Sequence, residues 1–222
     1  MPVAAVPQPT IETLGDLIQR LGGIPLERVR FQPYPGTATE ADVLARPGGV
    51  KRLCELVDGV LVEKPVGYYE SRLAIVLAHL LEAYLEEHPL GIVLGADATL
   101  RLFPGVVRLP DVCFISWTHF PGHRLPSEPI PDLCPDLAVE VLSESNTRAE
   151  MERKRREYFA AGARLVWEVD PSTRTVEVFT APDQSTKLAE NQSLDGGDAL
   201  PGFALSIREW FERAGRQADG KA

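Results

Sequence analysis

The stretch Asp136-Leu137-Ala138-Val139-Glu140-Val141-Leu142-Ser143 decides how this chain is read. It is short and strongly apolar, so it reads as a strand over residues 136–142. Period-2 alternation puts Leu137, Val139 and Val141 on one face, and Ala138, Glu140 and Leu142 on the other. A carboxylate in such company is costly to bury unless it is paired or bound to a metal. The same pattern occurs in Leu109-Pro110-Asp111-Val112-Cys113-Phe114-Ile115, where Asp111 interrupts an apolar run.

Working outward, Leu56-Val57-Asp58-Gly59-Val60-Leu61-Val62 is a hairpin signal, an Asp-Gly turn between aliphatic residues. Residues 70–87 read as a helix, with Leu73, Leu77, Leu80, Leu81 and Tyr84 at helical spacing and His88-Pro89 as its stop. Residues 91–102 suit one strand, bent at Gly95, and 106–117 a second, with Pro110 where no ladder bond is donated. Residues 118–135 carry five prolines and read as a long loop. After a turn at 143–146, Thr147 and Glu150 fit a capping box opening a helix over 147–161, and Gly162 ends it. Two strands, 164–170 and 175–180, and a closing helix over 205–211 complete the pattern. Helices and strands in this order predict an α/β fold, a central sheet with a helix on each side.

Upstream, residues 1–9 are Pro-rich. Thr10 is a candidate cap for a short helix carrying Ile11, Leu14, Leu17, Ile18 and Leu21, ended by Gly22-Gly23. Residues 25–49 read as an extended arm. The expected organisation is therefore an N-terminal extension (1–49), one domain (50–212) and a flexible tail (213–222).

The chain has 222 residues, 44% hydrophobic and 25% charged, enough to bury a core and unlike a disordered or low-complexity sequence. No apolar run approaches the roughly 18 residues of a membrane span, and the N-terminus lacks the pattern of a signal peptide. Three widely spaced cysteines argue against a disulfide scaffold and for a cytoplasmic location. The net charge of −9 excludes a histone-like role, because non-specific DNA binding rests on neutralising phosphates.

If Asp111 and Glu140 lie on neighbouring strands about 5 Å apart, an effective dielectric of about 20 gives a repulsion of about 3 kcal/mol. A proton or a cation then relieves it, and hard oxygen ligands suit Mg²⁺ or Mn²⁺. The competing reading is two structural acids satisfied by arginine or backbone donors. The following helix places Lys154 and Tyr158 four residues apart, on one face. On one reading Lys154 points at the acids while Arg153, Arg155 and Arg156 meet phosphates; on the other the helix is a salt-bridged surface. Arg148 and Arg164 add to this basic segment, and Arg101 and Arg108 are further candidates for the same surface. Cys113, His119, His123 and Cys134 can also be read as zinc ligands, but no CxxC supports that. Ser143 lacks the glycines of a nucleophile elbow.

In order along the chain, Glu55-Leu56-Val57-Asp58-Gly59, Leu109-Pro110-Asp111-Val112, the stretch 135–143, then Lys154, Tyr158 and Gly162, then Trp167 with Asp170-Pro171, resemble the Uma-two family of endonucleases. Leu200-Pro201-Gly202-Phe203 and Trp210-Phe211 resemble that family's ending. The resemblance covers about residues 50–212 and implies a restriction-endonuclease-like, PD-(D/E)XK fold. It implies Asp111 and Glu140 as metal-binding acids, with Glu70 as a further helical acid. The superfamily's lysine position is held by Leu142, and the resemblance gives its role to Lys154, supported by Tyr158. The implied activity is Mg²⁺- or Mn²⁺-dependent hydrolysis of nucleic-acid phosphodiesters, DNA first, with Arg148, Arg153, Arg155 and Arg156 on the nucleic acid. The alternative is an inactive nuclease fold that binds nucleic acid or protein. A homodimer is the expected assembly on general frequency.

Overall fold

The computed structural model describes residues 11–45, 52–65 and 67–215. Residues 1–9, the candidate cap Thr10, residues 46–49 of the arm and residues 216–222 of the tail lie outside them. The chain runs through α1 (Leu14–Arg20), α2 (Glu40–Leu44), β1 (Cys54–Val57), β2 (Val60–Glu63), α3 (Tyr68–Glu87), β3 (Gly91–Gly95) and β4 (Leu100–Phe103). It continues through β5 (Val106–Arg108), β6 (Val112–Ser116), β7 (Leu137–Val141), α4 (Arg148–Ala161), β8 (Leu165–Asp170) and β9 (Thr175–Ala181). The last elements are β10 (Gln184–Leu188), β11 (Ser193–Asp195), β12 (Ala204–Ser206) and α5 (Ile207–Ala214).

The larger sheet has the order β10-β9-β8-β7-β6-β3, and the smaller β2-β1-β5-β4. In the larger one β7 and β8 are parallel, joined through α4, and the other neighbours are antiparallel. The sheet is therefore flanked by helices, as the element order predicts, and mixed, as the restriction-endonuclease-like resemblance implies. Leu137, Val139 and Val141 face a core shared with Leu73, Leu77 and Leu81 of α3 and Trp210 and Phe211 of α5. Ala138 faces the opposite side, with Tyr158 of α4. The alternation read from residues 136–142 is thus real, and it sends Glu140 toward α4.

The hairpin β1–β2 turns through Asp58 (φ 52°) and Gly59 (φ 74°), the two left-handed positions that Asp-Gly supplies. Two single-strand readings are corrected. Residues 91–102 hold β3 and β4, which belong to different sheets, and residues 106–117 hold β5 and β6, which also do. In the second case the change of sheet falls at Leu109-Pro110-Asp111. Pro110 has no N–H to continue a ladder, and the next donor, Asp111 N, bonds Val139 O of the larger sheet at 3.0 Å. Asp111 therefore sits where the two sheets meet. The closing helix starts later than expected: Leu205 is in β12, and α5 runs to Ala214 with Ser206 as its cap.

The N-terminal arm also differs from an extended connector. The short helix upstream of it is present as α1, capped by Thr13 with Asp16, but where residues 25–49 read as extended the chain forms a 3₁₀ turn over Leu26–Arg28 and then α2. Leu17, Leu21, Ile24 and Val29 pack on Val57, Val60 and Val62 of the hairpin. Ala38 and Val43 pack on Leu56, Leu61, Val107 and Leu109. Apolar residues spread thinly among prolines and glycines thus find partners on the small sheet, which local patterning does not reveal.

Candidate active site

Asp111 and Glu140 come from neighbouring strands, β7 carrying the glutamate and the loop into β6 the aspartate. The Asp111 carboxylate accepts from Val141 N at 2.7 Å, the residue next to Glu140. Its other oxygen meets Lys64 Nζ at 2.9 Å. Glu140 points to the α4 side, where Oε1 accepts from Tyr158 OH at 2.7 Å and Oε2 from Lys154 Nζ at 3.1 Å. The expected i, i+4 pair on α4 thus converges on one carboxylate.

Lys154 is shared. Its ammonium also lies 2.9 Å from Glu55 Oε1, and Glu55 in turn accepts from Arg108 Nη1 at 2.7 Å and from Leu109 N at 3.3 Å. Arg108 continues to Glu157, Glu157 to Arg153, and Arg153 to Asp58 in the hairpin turn. The result is one line of alternating charges between α4 and the small sheet. Lys154, Glu55 and Arg108 are each at most 3% exposed, so their charges lie in a low-dielectric interior where lone ions are not tolerated.

Position in that line sets the proton affinities. Burial alone would raise Glu55, but Lys154, Arg108 and Lys64 together draw it down to about 2. Glu140 is raised, first by burial and further by the nearby Asp111 charge, with Lys154 and Lys64 opposing. Glu140 has no arginine and an acidic neighbour, which explains the opposite sign. Burial works against the charge on Lys154 as well, and Glu140 and Glu55 outweigh it, so the ammonium is held above its ordinary range. Tyr158 is pushed well up by burial and by Glu140, so its hydroxyl stays a donor.

On the other side of β7 a cleft of about 700 Å³ opens between α3 and the sheet, lined in part by Lys64, Glu70, Arg72, Asp111, Val141 and Ser143. Asp111 reaches it with 18% of its side chain exposed. The model of the Uma2 family, described as "Putative restriction endonuclease", matches residues 42–208. The chain belongs to the Uma2 family. A crystal structure from Anabaena variabilis ATCC 29413, described as "a putative nuclease belonging to DUF820", has a similar fold. Its TM-score is 0.66 at 16% identity, covering 74% of this chain and 93% of that one. No curated protein matches this chain.

The other expected site residues fall in several places. Glu70, in the first turn of α3, shares the cleft with Asp111. Among the described residues, however, no three Asp, Glu, His or Cys side chains converge as a metal site. Arg153 pairs with Asp58 and Glu157, Arg155 with Glu168, and Arg156 with Glu152 and Asp183. These three are occupied by the protein itself; Arg148, at the start of α4, lines a second cavity with Glu70 and Ser143. Arg108 is buried and Arg101 pairs with Glu40 and Asp132, so neither is an open basic surface. Arg164 pairs with Asp136. The zinc reading finds no cluster: Cys113 is buried in β6, His119 lies 3.3 Å from Asp136, and His123 stacks on Trp117.

Sequence reasoning did not single out Glu55 or Lys64 as site residues. The signal was present, an acid inside the apolar hairpin strand and a lysine just after it, but their partners lie about 50 to 100 residues away in the chain. The carboxylates of Asp111 and Glu140 suit a hard divalent cation. Asp111, in the loop into β6, opens on the cleft, whereas both oxygens of the buried Glu140 are engaged by Tyr158 and Lys154, so a cation held by the two acids has to displace one of those contacts. Two carboxylates are a sufficient protein share for Mg²⁺, water and substrate oxygens completing the octahedron.

Proposed function

We propose that this Uma2 protein is an endonuclease that hydrolyses nucleic-acid phosphodiesters, DNA first, with Mg²⁺ or Mn²⁺ held by Asp111 and Glu140. The carrying observation is that the cleft-exposed Asp111 accepts from the N–H of Val141, the residue that follows the buried Glu140. When bound, such a cation polarises the phosphoryl group and lowers the pKa of a coordinated water. The chain's own residues do the rest. Val141 N fixes one Asp111 oxygen. Tyr158 and Lys154 fix both oxygens of Glu140 and keep its charge next to Asp111. Lys154 acts here through Glu140, since its ammonium is 1% exposed and fully engaged. Glu70 and Arg148 line a neighbouring cavity, and Glu70 also lines the Asp111 cleft, which makes them the candidates for contact with the substrate backbone and its counter-ions. The three free cysteines fit a reducing, cytoplasmic setting.

The test is titration of Mn²⁺ and Mg²⁺ by calorimetry into the unaltered protein, Asp111→Ala and Glu140→Gln, beside a cleavage screen on duplex and single-stranded DNA. Saturable binding lost in both variants, with metal-dependent cleavage, is the expected result. Binding untouched by either change would sink the assignment. A second reading, a nuclease fold that binds without cutting, is favoured by Leu142 at the usual lysine position and by the internal pairing of Arg153, Arg155 and Arg156. It predicts DNA binding with no cleavage in any metal.

A further inference from the structure

A phosphodiester gains negative charge on its non-bridging oxygens as water adds, and a hydrolase needs a fixed positive group there. Lys154 is poorly placed for that task. It is clamped between Glu55 and Glu140 on the α4 side of β7, away from the walls of the cleft that Asp111 enters. The basic side chains lining that cleft are Lys64 and Arg72. Arg72 donates outward, to Arg213 O on α5. Lys64, just after β2, donates inward: to Asp111 Oδ1, to Leu109 O, and to Ala96 O at 3.5 Å. The third contact is at the limit of a hydrogen bond and leaves one N–H loosely held. Ala96 and Gly95 form the same wall of the cleft, and a Cβ added at Gly95 would meet nothing within 4 Å. Lys64 is itself largely buried, with 4% of its side chain exposed, but it stands in the cleft wall beside the more open Asp111.

We propose that Lys64 is the substrate-facing cation of this site, a catalytic residue that meets a non-bridging phosphate oxygen in the cleft while Lys154 positions Glu140. The inference rests on the nuclease reading above. In the hydrolysis, the water oxygen bonds phosphorus and one P–O ester bond breaks. One water proton ends on the leaving alcohol and the other in solvent. Lys64 keeps its protons throughout and contributes charge and orientation, tasks suited to a compact ammonium on a flexible stem. It also explains how Leu142 is tolerated: the cation comes from the hairpin, not from β7.

The experiment compares Lys64→Met, Lys64→Gln and Lys64→Arg in the full chain, with thermal melts to confirm folding. DNA binding is measured in Ca²⁺ over a salt series, and single-turnover cleavage in Mn²⁺. Removing a phosphate-contacting cation lowers the slope of log K against log [salt] by about one, and removing one such stabilising donor slows the chemical step by about 100-fold or more. Lys64→Met and Lys64→Gln are expected to show both effects, and Lys64→Arg to keep the slope while recovering part of the rate. Cleavage within threefold of the unaltered protein, or an unchanged salt slope in both neutral variants, would overturn the assignment and leave the nuclease reading standing. An unaltered protein that neither binds Mn²⁺ nor cleaves DNA would overturn both.

Discussion

The two faces of β7 are held in place by different means. Toward α3 and α5, Leu137, Val139 and Val141 meet other hydrocarbon side chains and two tryptophans. Toward α4, Glu140 meets Lys154 and Tyr158, which lead on to Glu55, Arg108 and Glu157. Apolar packing loses energy in proportion to what is removed, and its neighbours can relax into the gap. A buried charge line behaves otherwise, because deleting one member strands its partners in a medium that does not solvate them. The strand thus has one forgiving side and one exacting side, and the exacting side holds Glu140.

The largest effect expected is from Lys154→Met. It leaves Glu55 and Glu140 without their shared cation and should destabilise the fold by about 3–5 kcal/mol, read by urea denaturation. Adding Glu140→Gln to that variant should recover part of the loss, a strong coupling that marks a charge line. On the opposite face, Leu77→Ala at a fully buried site of α3 should cost about 3 kcal/mol. Combined with a distant core truncation it should simply add. Recovery absent in the first pair would erase the distinction between the faces.

A smaller effect separates them by pH. Glu55 binds its proton more weakly folded than unfolded. Its contribution is complete above the ordinary glutamate value of about 4.3 and is lost as pH falls from there toward about 2. The slope contributed is at most about 1.4 kcal/mol per pH unit. Glu55→Gln should flatten the acid limb of the stability curve, whereas Leu77→Ala should shift the curve without changing its shape. The smallest effect belongs to the outside of α4. Arg156 is 54% exposed and its partner Glu152 45%, so Arg156→Ala should cost no more than about 0.5 kcal/mol and should fade in salt.

The Asp-Gly hairpin, the alternation in residues 136–142 and the i, i+4 relation of Lys154 to Tyr158 are local properties, and each was legible before any coordinates. The division of residues 91–102 and 106–117 between two sheets was not. It depends on which strand each half finds, and Pro110 marks the place without naming the partner. β10 escaped notice because Gln184, Ser185, Thr186 and Lys187 are all exposed and carry no apolar alternation. The arginines of α4 looked like phosphate ligands because their acidic partners, Asp58, Glu168 and Asp183, come from the hairpin, from β8 and from the turn between β9 and β10. Asp111 and Glu140 were legible as a pair; the cations that meet them were only half legible, Lys154 by spacing and Lys64 not at all.

One contact has an evolutionary consequence. Arg28 grips Glu150 through both terminal nitrogens, at 2.6 and 2.9 Å, with both side chains buried. Close by, a Cβ at Gly22 would come within 2.5 Å of the backbone of Glu150. Arg28 precedes the start of the family match at residue 42, while Glu150 lies well inside it. A lineage that shed the leading segment would leave this carboxylate with the neutral amide of Asn146 and the more distant charge of Lys154, which Glu55 and Glu140 already share. The acid at position 150 and the segment that answers it thus constrain each other's replacement.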